Sequence, residues 1–320
     1  MNILRRFAAI SFATLLCAPA LALASGKPVT IVVPFAPGGS SDIVARLVVP
    51  KLTERLKQPV VVDNRPGANG AIGAALVARA QPDGNILLIG SVGTFVINPI
   101  LMKSLSYGAK DFDLLTVAVR TPNVVVVPAS LPVNNIAELV AYMKKNGGKT
   151  TFASAGNGST DHLTAVLFWQ KTGTAGVHVP YKGAGAAISD LLAGHVDVMI
   201  SNVGLLASYI QSGKLKALAV TSDKRISAFP SIPTLAEAGY KDLAVYSWQG
   251  VVAPKGLAPA SSASLQEALI GALRDSSVKK HLDDLGYEVV AGNSDDFGKT
   301  MTSETARWKS VISSSNIQLE

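Results

Sequence analysis

The 320-residue sequence is poor in the residues most often recruited for covalent or metal chemistry. It holds one cysteine and four histidines, and only 6% of its residues are aromatic and 16% charged. A lone cysteine forms no internal disulfide and no multi-thiolate metal site. His162, His178, His195 and His281 are dispersed, with no His-x-x-x-His or Glu-x-x-His pairing to seat a metal. The lysines and arginines are scattered and not interleaved with aromatics, so no nucleic-acid partner is expected. Past the first two dozen residues, no apolar stretch reaches the ~20 residues that a membrane-spanning helix needs.

Motifs of catalysis also fall short. Gly148-Lys149-Thr150 and Gly298-Lys299-Thr300 end like phosphate-binding loops, but Met143 and Asn293 stand where the partner glycine belongs. No Gly-x-Gly-x-x-Gly follows a strand, which removes the dinucleotide fingerprint. Ser40 has Gly38 before it and Asp42 after it, which breaks the hydrolase elbow. No paired carboxylates occupy a glycine-rich junction. Asp42 and Asp161 read as first-turn residues that complement helix dipoles.

The amino terminus has the three parts of an export signal. Arg5 and Arg6 precede the apolar run Phe7 to Cys17, and Ala22-Leu23-Ala24 supplies the small-x-small cleavage pattern. Residues 1–24 are therefore expected to be removed. The loss of Cys17, Arg5 and Arg6 would leave a chain without cysteine, with a formal charge of +5 in place of +7.

The full sequence is 48% hydrophobic, and its length suggests about two domains. Short β-branched or apolar runs recur at Val29–Phe35, Val60–Asp63, Ile86–Ile89, Asn123–Val127, Thr150–Ala153, Val177–Tyr181, Val196–Ser201 and Ala217–Thr221. Helical patterns fill most gaps between them, which predicts α/β layers with mainly parallel sheets. Ligands of such sheets sit where strand ends turn into helix N-termini.

Three such junctions stand out. Pro34 to Asp42 carries Gly38-Gly39-Ser40-Ser41, where two glycines permit an anion-binding nest and Ser40, Ser41 or Asp42 can cap the next helix. An ordinary glycine-rich turn with a serine cap satisfies the same residues. Phe152 to Leu163 runs through Gly156-Asn157-Gly158-Ser159-Thr160, with the hydroxyls of Ser154, Ser159 and Thr160 as uncharged donors. His162 there reads as a structural histidine in the first helical turn. His178 to Ala187 ends a strand in Tyr181-Lys182-Gly183, where Tyr181 offers an amphipathic wall and Gly183 a close amide. The block Asn64–Gly70 reads as turn chemistry.

At these junctions the sequence resembles the Bug family of periplasmic solute-binding proteins, the TctC-like receptors of tripartite tricarboxylate transporters. The likeness rests on Ile31 to Asp42, Asp63 to Gly70, Gln81-Pro82-Asp83-Gly84 and Ser154 to Ser159 with His162-Leu163. It continues through Val179 to Gly183, Phe229 to Gly239 and Ala306-Arg307-Trp308. It departs from the family pattern at Asp161, where an uncharged residue or proline is expected, and at Ser91 to Phe95, where a more polar run is expected.

The resemblance implies a type II periplasmic binding protein fold, two α/β lobes joined by two hinge strands. Residues 25–122 and 246–320 would form one lobe and 123–245 the other, with crossings near Arg120–Val124 and Val245–Gly250. It implies a small carboxylate held in the cleft by backbone amides and hydroxyls, with no metal or cofactor and no catalysis. The first lobe would contribute Phe35, Ala36, Gly38, Gly39, Ser40 and Ser41, with Ser91 and Thr94. The second would contribute Ser154, Gly158, Ser159, Thr160, Tyr181, Lys182 and Gly183. The expected setting is the periplasm, the expected partner a membrane permease of the tripartite tricarboxylate type, and the expected state a monomer. Two alternatives remain at this point: an exported hydrolytic enzyme using Ser159 and His162, and a sensing receptor whose closed form docks on a non-transport membrane protein.

Overall fold

Valine, isoleucine and leucine runs bounded by glycine and asparagine form the strands, as their fit to a pleated buried surface favours. The computed structural model describes residues 27–315, so the export signal expected over residues 1–24 lies outside the described residues. The strands are β1 (Val29–Val33), β2 (Val60–Asn64), β3 (Ile86–Ser91), β4 (Phe112–Pro128), β5 (Thr151–Ser154), β6 (Val177–Pro180), β7 (Val198–Asn202), β8 (Leu215–Val220), β9 (Tyr246–Pro254) and β10 (Glu288–Val289). The helices are α1 (Ser40–Leu56), α2 (Ala71–Ala78), α3 (Asn98–Leu101), α4 (Ile136–Lys145), α5 (Thr160–Thr172), α6 (Ala184–Ala193), α7 (Val203–Gln211), α8 (Pro259–Leu273), α9 (Ser276–Asp284) and α10 (Ser294–Ser315).

The hydrogen-bonded order β2-β1-β3-β9-β4-β7-β5-β6 puts β4 at the centre, with β8 and β10 also paired to it. Strand β4 has 17 residues and changes partners along its length. Its first part runs against β9, from Phe112 opposite Pro254 to Pro122 opposite Tyr246. From Asn123 onward it pairs with β7 and β8. One continuous strand therefore serves both lobes, and β9 begins where the chain returns.

The expectation of mainly parallel sheets needs correction. Among the described strands, parallel pairing joins β1 to β2 and β3, and β5 to β6 and β7. Every pairing of β4 is antiparallel, as is β3 with β9. The reason is topological: a chain that crosses into a lobe on one strand and returns on its neighbour must run in opposite directions on the two.

The inner strands are largely buried on both faces, which fits their mostly apolar sequence. In β1, Val29, Ile31 and Val33 pack with Val44, Leu52 and Leu269, while Val32 faces a separate core. In β4, Val124 and Val126 pack with Ile188, Leu191 and Leu206, and Val125 and Val127 point the other way. That shared core runs from Val32 and Leu88 through Phe95, Trp248 and Phe297 to Phe152 and Phe168. It spans both lobes beneath the crossing strands and takes in Trp308 of α10.

A cleft ringed by helix N-termini

Strand ends β1, β3, β5, β6 and β7 open on one cleft of about 1180 Å³. Its walls include Phe35, Ala36, Gly38, Gly39, Ser40, Ser41 and Ser91 on one side. Ser159, Thr160, Tyr181, Lys182 and Gly183 face them from the other. These twelve were expected from the sequence. Thr94, Ser154 and Gly158 lie behind the wall. Thr94 is fully buried, and its Oγ1 has no hydrogen-bond partner. Ser154 is buried against His178, with Oγ to Nε2 at 2.6 Å. Gly158 donates its amide to His162 Nδ1 at 3.2 Å and accepts at its carbonyl from Asn69 Nδ2.

The Gly38–Gly39 loop differs from the nest drawn from the sequence. None of Ser40, Ser41 and Asp42 caps α1; the N-cap is Gly39, with no side-chain cap. Asp42 folds back and accepts the Gly38 amide at 2.9 Å, so that donor is committed. The same carboxylate accepts from Arg46 Nε at 2.9 Å and Asn64 Nδ2 at 3.0 Å. Burial pushes Asp42 upward, but Arg46, the Gly38 amide and Asn64 together hold it below the ordinary carboxylate range. The loop is thus built by Asp42. Its open donors are the first-turn amides of Ser40, Ser41 and Asp42, which meet no backbone acceptor.

Two helices on the opposite side share this state. Helix α6 starts after Gly183, at φ 121°, and α7 starts after Asn202; neither has a side-chain cap. Ala184, Gly185 and Ala186 of α6, and Asn202 and Leu205 at α7, line the cleft. A fourth helix, α5, also begins there, but Ser159 Oγ accepts the His162 amide and closes its first turn. Four helix dipoles therefore place partial positive charge at one cleft, three with open donors. Lys182 is exposed at the rim, and among the lining residues the other ionisable groups are Asp161 and Tyr181. Burial, then the bond from its hydroxyl to Asp190 at 2.6 Å, pushes Tyr181 up to about 12.

Sequence reading missed several walls. Pro66–Gly70, assigned to turn chemistry, lines the cleft, with Ala68 and Asn69 both at left-handed φ values near 46° and 49°. Asn69 Nδ2 bonds Asn98 Oδ1 at 3.0 Å and Gly158 carbonyl at 3.1 Å, so it reaches across the cleft. Asn202 Nδ2 reaches Ser40 Oγ at 2.8 Å, a second bond between the sides. Tyr287 also donates to Ser40 Oγ at 3.0 Å, which leaves the serine proton to point elsewhere. Ser247 and Gln249 of β9 form the floor. Asn202 was findable: it ends a fourth strand-to-helix junction of the kind that drew attention to the other three.

The Ser159–His162 catalytic pair is not assembled. Ser159 caps a backbone amide, and the His162 ring accepts from Gly158 and stacks on His178 at 3.8 Å. Ser154 and His178 do touch, but Ser154 is walled off from the cleft.

Two α/β lobes on shared crossing strands, with helix N-termini turned toward the space between them, define a two-lobed periplasmic-type binding protein. The chain belongs to the tripartite tricarboxylate transporter family of receptors, whose family model matches residues 44–317. Protein BugT of Bordetella pertussis is 36% identical over 297 residues, covering 92% of this chain and 91% of its own. An R. palustris protein solved with adipate is 34% identical with a TM-score of 0.88, covering 91% of this chain and 98% of its own. MatC from Rhodopseudomonas palustris with bound malate is 31% identical with a TM-score of 0.84, covering 89% and 98%. The family consists of periplasmic solute receptors, so the chain is a receptor and not an enzyme.

Proposed function

We propose that this receptor captures a small carboxylate between its lobes and delivers it to a membrane permease of the tripartite tricarboxylate type. Export through cleavage after Ala24 places it in the periplasm. The observation that carries the reading is the set of open first-turn amides of α1, α6 and α7 around one cleft. Adipate and malate in the solved relatives support the ligand class.

The Ser40, Ser41 and Asp42 amides and the two serine hydroxyls take one carboxylate oxygen pair. Phe35, Ala36, Gly38 and Gly39 shape that pocket, with Ser91 beside it. Ser159, Thr160, Tyr181, Lys182 and Gly183 close from the other lobe, while Thr94, Ser154 and Gly158 hold the wall from behind. Charge-assisted hydrogen bonds contribute roughly 1.5–3 kcal/mol each. Three or four of them, less ordering costs, reach the ~8 kcal/mol of a micromolar complex. Lobe 25–122 with 246–320 and lobe 123–245 pivot at Arg120–Val124 and Val245–Gly250, and a ligand that bridges them favours the closed state.

The test is a thermal-shift screen of carboxylates on the mature protein. A specific ligand at a hundred times Kd stabilises by about 2.7 kcal/mol. At least one carboxylate is expected to raise Tm. Shifts produced only by uncharged compounds would overturn the reading.

A further inference from the structure

Asp161 is out of place in a cleft built for an anion. It stands in the first turn of α5, lines the cleft, and is only 4% exposed. Its Oδ2 accepts from Ser201 Oγ at 3.0 Å and from the Ala155 amide at 3.3 Å. Both donors are neutral, and no ion pair to Asp161 occurs among the described residues. Oδ1 receives no hydrogen bond from any other described residue. Asn202 Oδ1 and Gln249 Oε1, on two residues of the same cleft, also lack a donor. The wall therefore carries spare acceptor capacity and a carboxylate that only the α5 helix start, Ser201 and backbone amides stabilise, with no cationic side chain beside it among the described residues, whereas buried charges are ordinarily paired with an opposite charge.

We propose that Asp161 is a specificity-determining residue that selects a carboxylate ligand also bearing an ammonium group, such as an amino acid. This rests on the carboxylate reading above and narrows it. The ligand carboxylate occupies the amides of α1 on one side, and its ammonium donates to Asp161 Oδ1 on the other. A dicarboxylate of the same length would set a second negative charge against Asp161. Burial raises Asp161 to about 6, against the opposing bonds from Ser201 and Ala155, so it is charged at neutral pH. The ionisable groups around it are His162 and His178, which burial lowers to about 4, and Tyr181 and Lys182 in the cleft. Between pH 5 and 7.5, Asp161 is thus the group whose charge changes beside the ligand.

The experiment is calorimetric titration of the mature protein with amino acids of increasing chain length. Each is paired with the dicarboxylate in which a second carboxylate replaces the ammonium. At pH 7.5 the wild type is expected to bind the amino member of the best pair at least about tenfold tighter, the worth of one charge-assisted bond. Asp161→Asn keeps an acceptor for Ser201 and Ala155 and is expected to erase or reverse that preference. The wild-type affinity for the amino acid is expected to fall as pH drops from 7.5 to 5. This readout stands even if the variant folds poorly. Tighter dicarboxylate binding by the wild type, or a preference unchanged in Asp161→Asn, would overturn the assignment while leaving carboxylate capture intact. Binding of uncharged compounds alone would overturn both.

Discussion

Asp42 is the residue that makes the first-lobe loop a site. Its carboxylate gathers the Gly38 amide, Arg46 and Asn64, and so fixes the turn that aims the next three amides outward. Arg46 is about half exposed and its ion pair adds little by itself. The buried acceptor matters more. Asp42→Ala is expected to cost about 2–3 kcal/mol, because it leaves the Gly38 amide and Asn64 without their partner. Urea unfolding measures this, and a change under about 0.5 kcal/mol would show that Asp42 is a passive first-turn residue. Gly70 provides a second residue-scale test. At φ 87°, a methyl there would stand 2.6 Å from Thr94 Oγ1 and 3.2 Å from Phe35 Cζ. Gly70→Ala is expected to cost about 1–3 kcal/mol and to weaken ligand binding through the displaced Phe35 ring.

At the scale of elements, the stacked imidazoles of α5 and β6 predict a pH response. Burial lowers His162 to about 4. It lowers His178 to about 4 as well, with a smaller contribution from His162. Between pH 6.5 and 4 the unfolded chain takes up protons that the folded pair refuses, so stability falls as pH falls across that window. Asp161 acts in the opposite sense, since its carboxyl binds a proton in the folded state below about 6 and in the unfolded state only near 3.8. Two histidines oppose one aspartate, and the net expectation is loss of stability from pH 6 to 4. Urea midpoints across this range check it, and a rise toward pH 4 would contradict it. His178→Gln should flatten the curve.

The elements also show where sequence reading reaches its limit. The strands Val29–Val33 and Val198–Asn202 are legible from the mostly apolar runs Val29–Phe35 and Val196–Ser201, whose residues are largely buried. The first two-thirds of β4 is not. Pro122 interrupts the apolar pattern, and proline ordinarily marks a strand's edge. Here it marks the point where β4 exchanges β9 for β7 and β8. The strand-to-helix junctions located α1, α5 and α6 correctly. Which amides stay open was hidden, because it depends on side chains that turn back, such as Asp42 to Gly38 and Ser159 to His162. Asn69 was hidden too, since its glycine-rich setting is equally that of an ordinary turn.

For the whole molecule, the two crossing strands and the core beneath them decide what can move. Trp248, Phe297 and Phe95 pack at the crossing, with ring centroids 5.6 to 6.1 Å apart. This packing favours rotation about the strands over separation of the lobes. Two hydrogen bonds bridge the cleft, Asn202 to Ser40 and Asn69 to the Gly158 carbonyl. Asn202→Ala is expected to weaken ligand affinity by about 0.5–1.5 kcal/mol, the net worth of one such bond. Small-angle scattering is expected to show a larger radius of gyration for the unliganded variant. An unchanged affinity and radius would mean that the bond is incidental to closure.

The central claim is that unpaired main-chain N–H groups at helix starts seat the acid group of the ligand. A crystal structure of the mature protein with its tightest carboxylate tests this most directly. The account predicts carboxylate oxygens about 3 Å from the Ser40, Ser41 or Asp42 amides, with further contacts from α6 or α7. A carboxylate bound instead to Lys182 at the rim, with those amides facing only solvent, would contradict it.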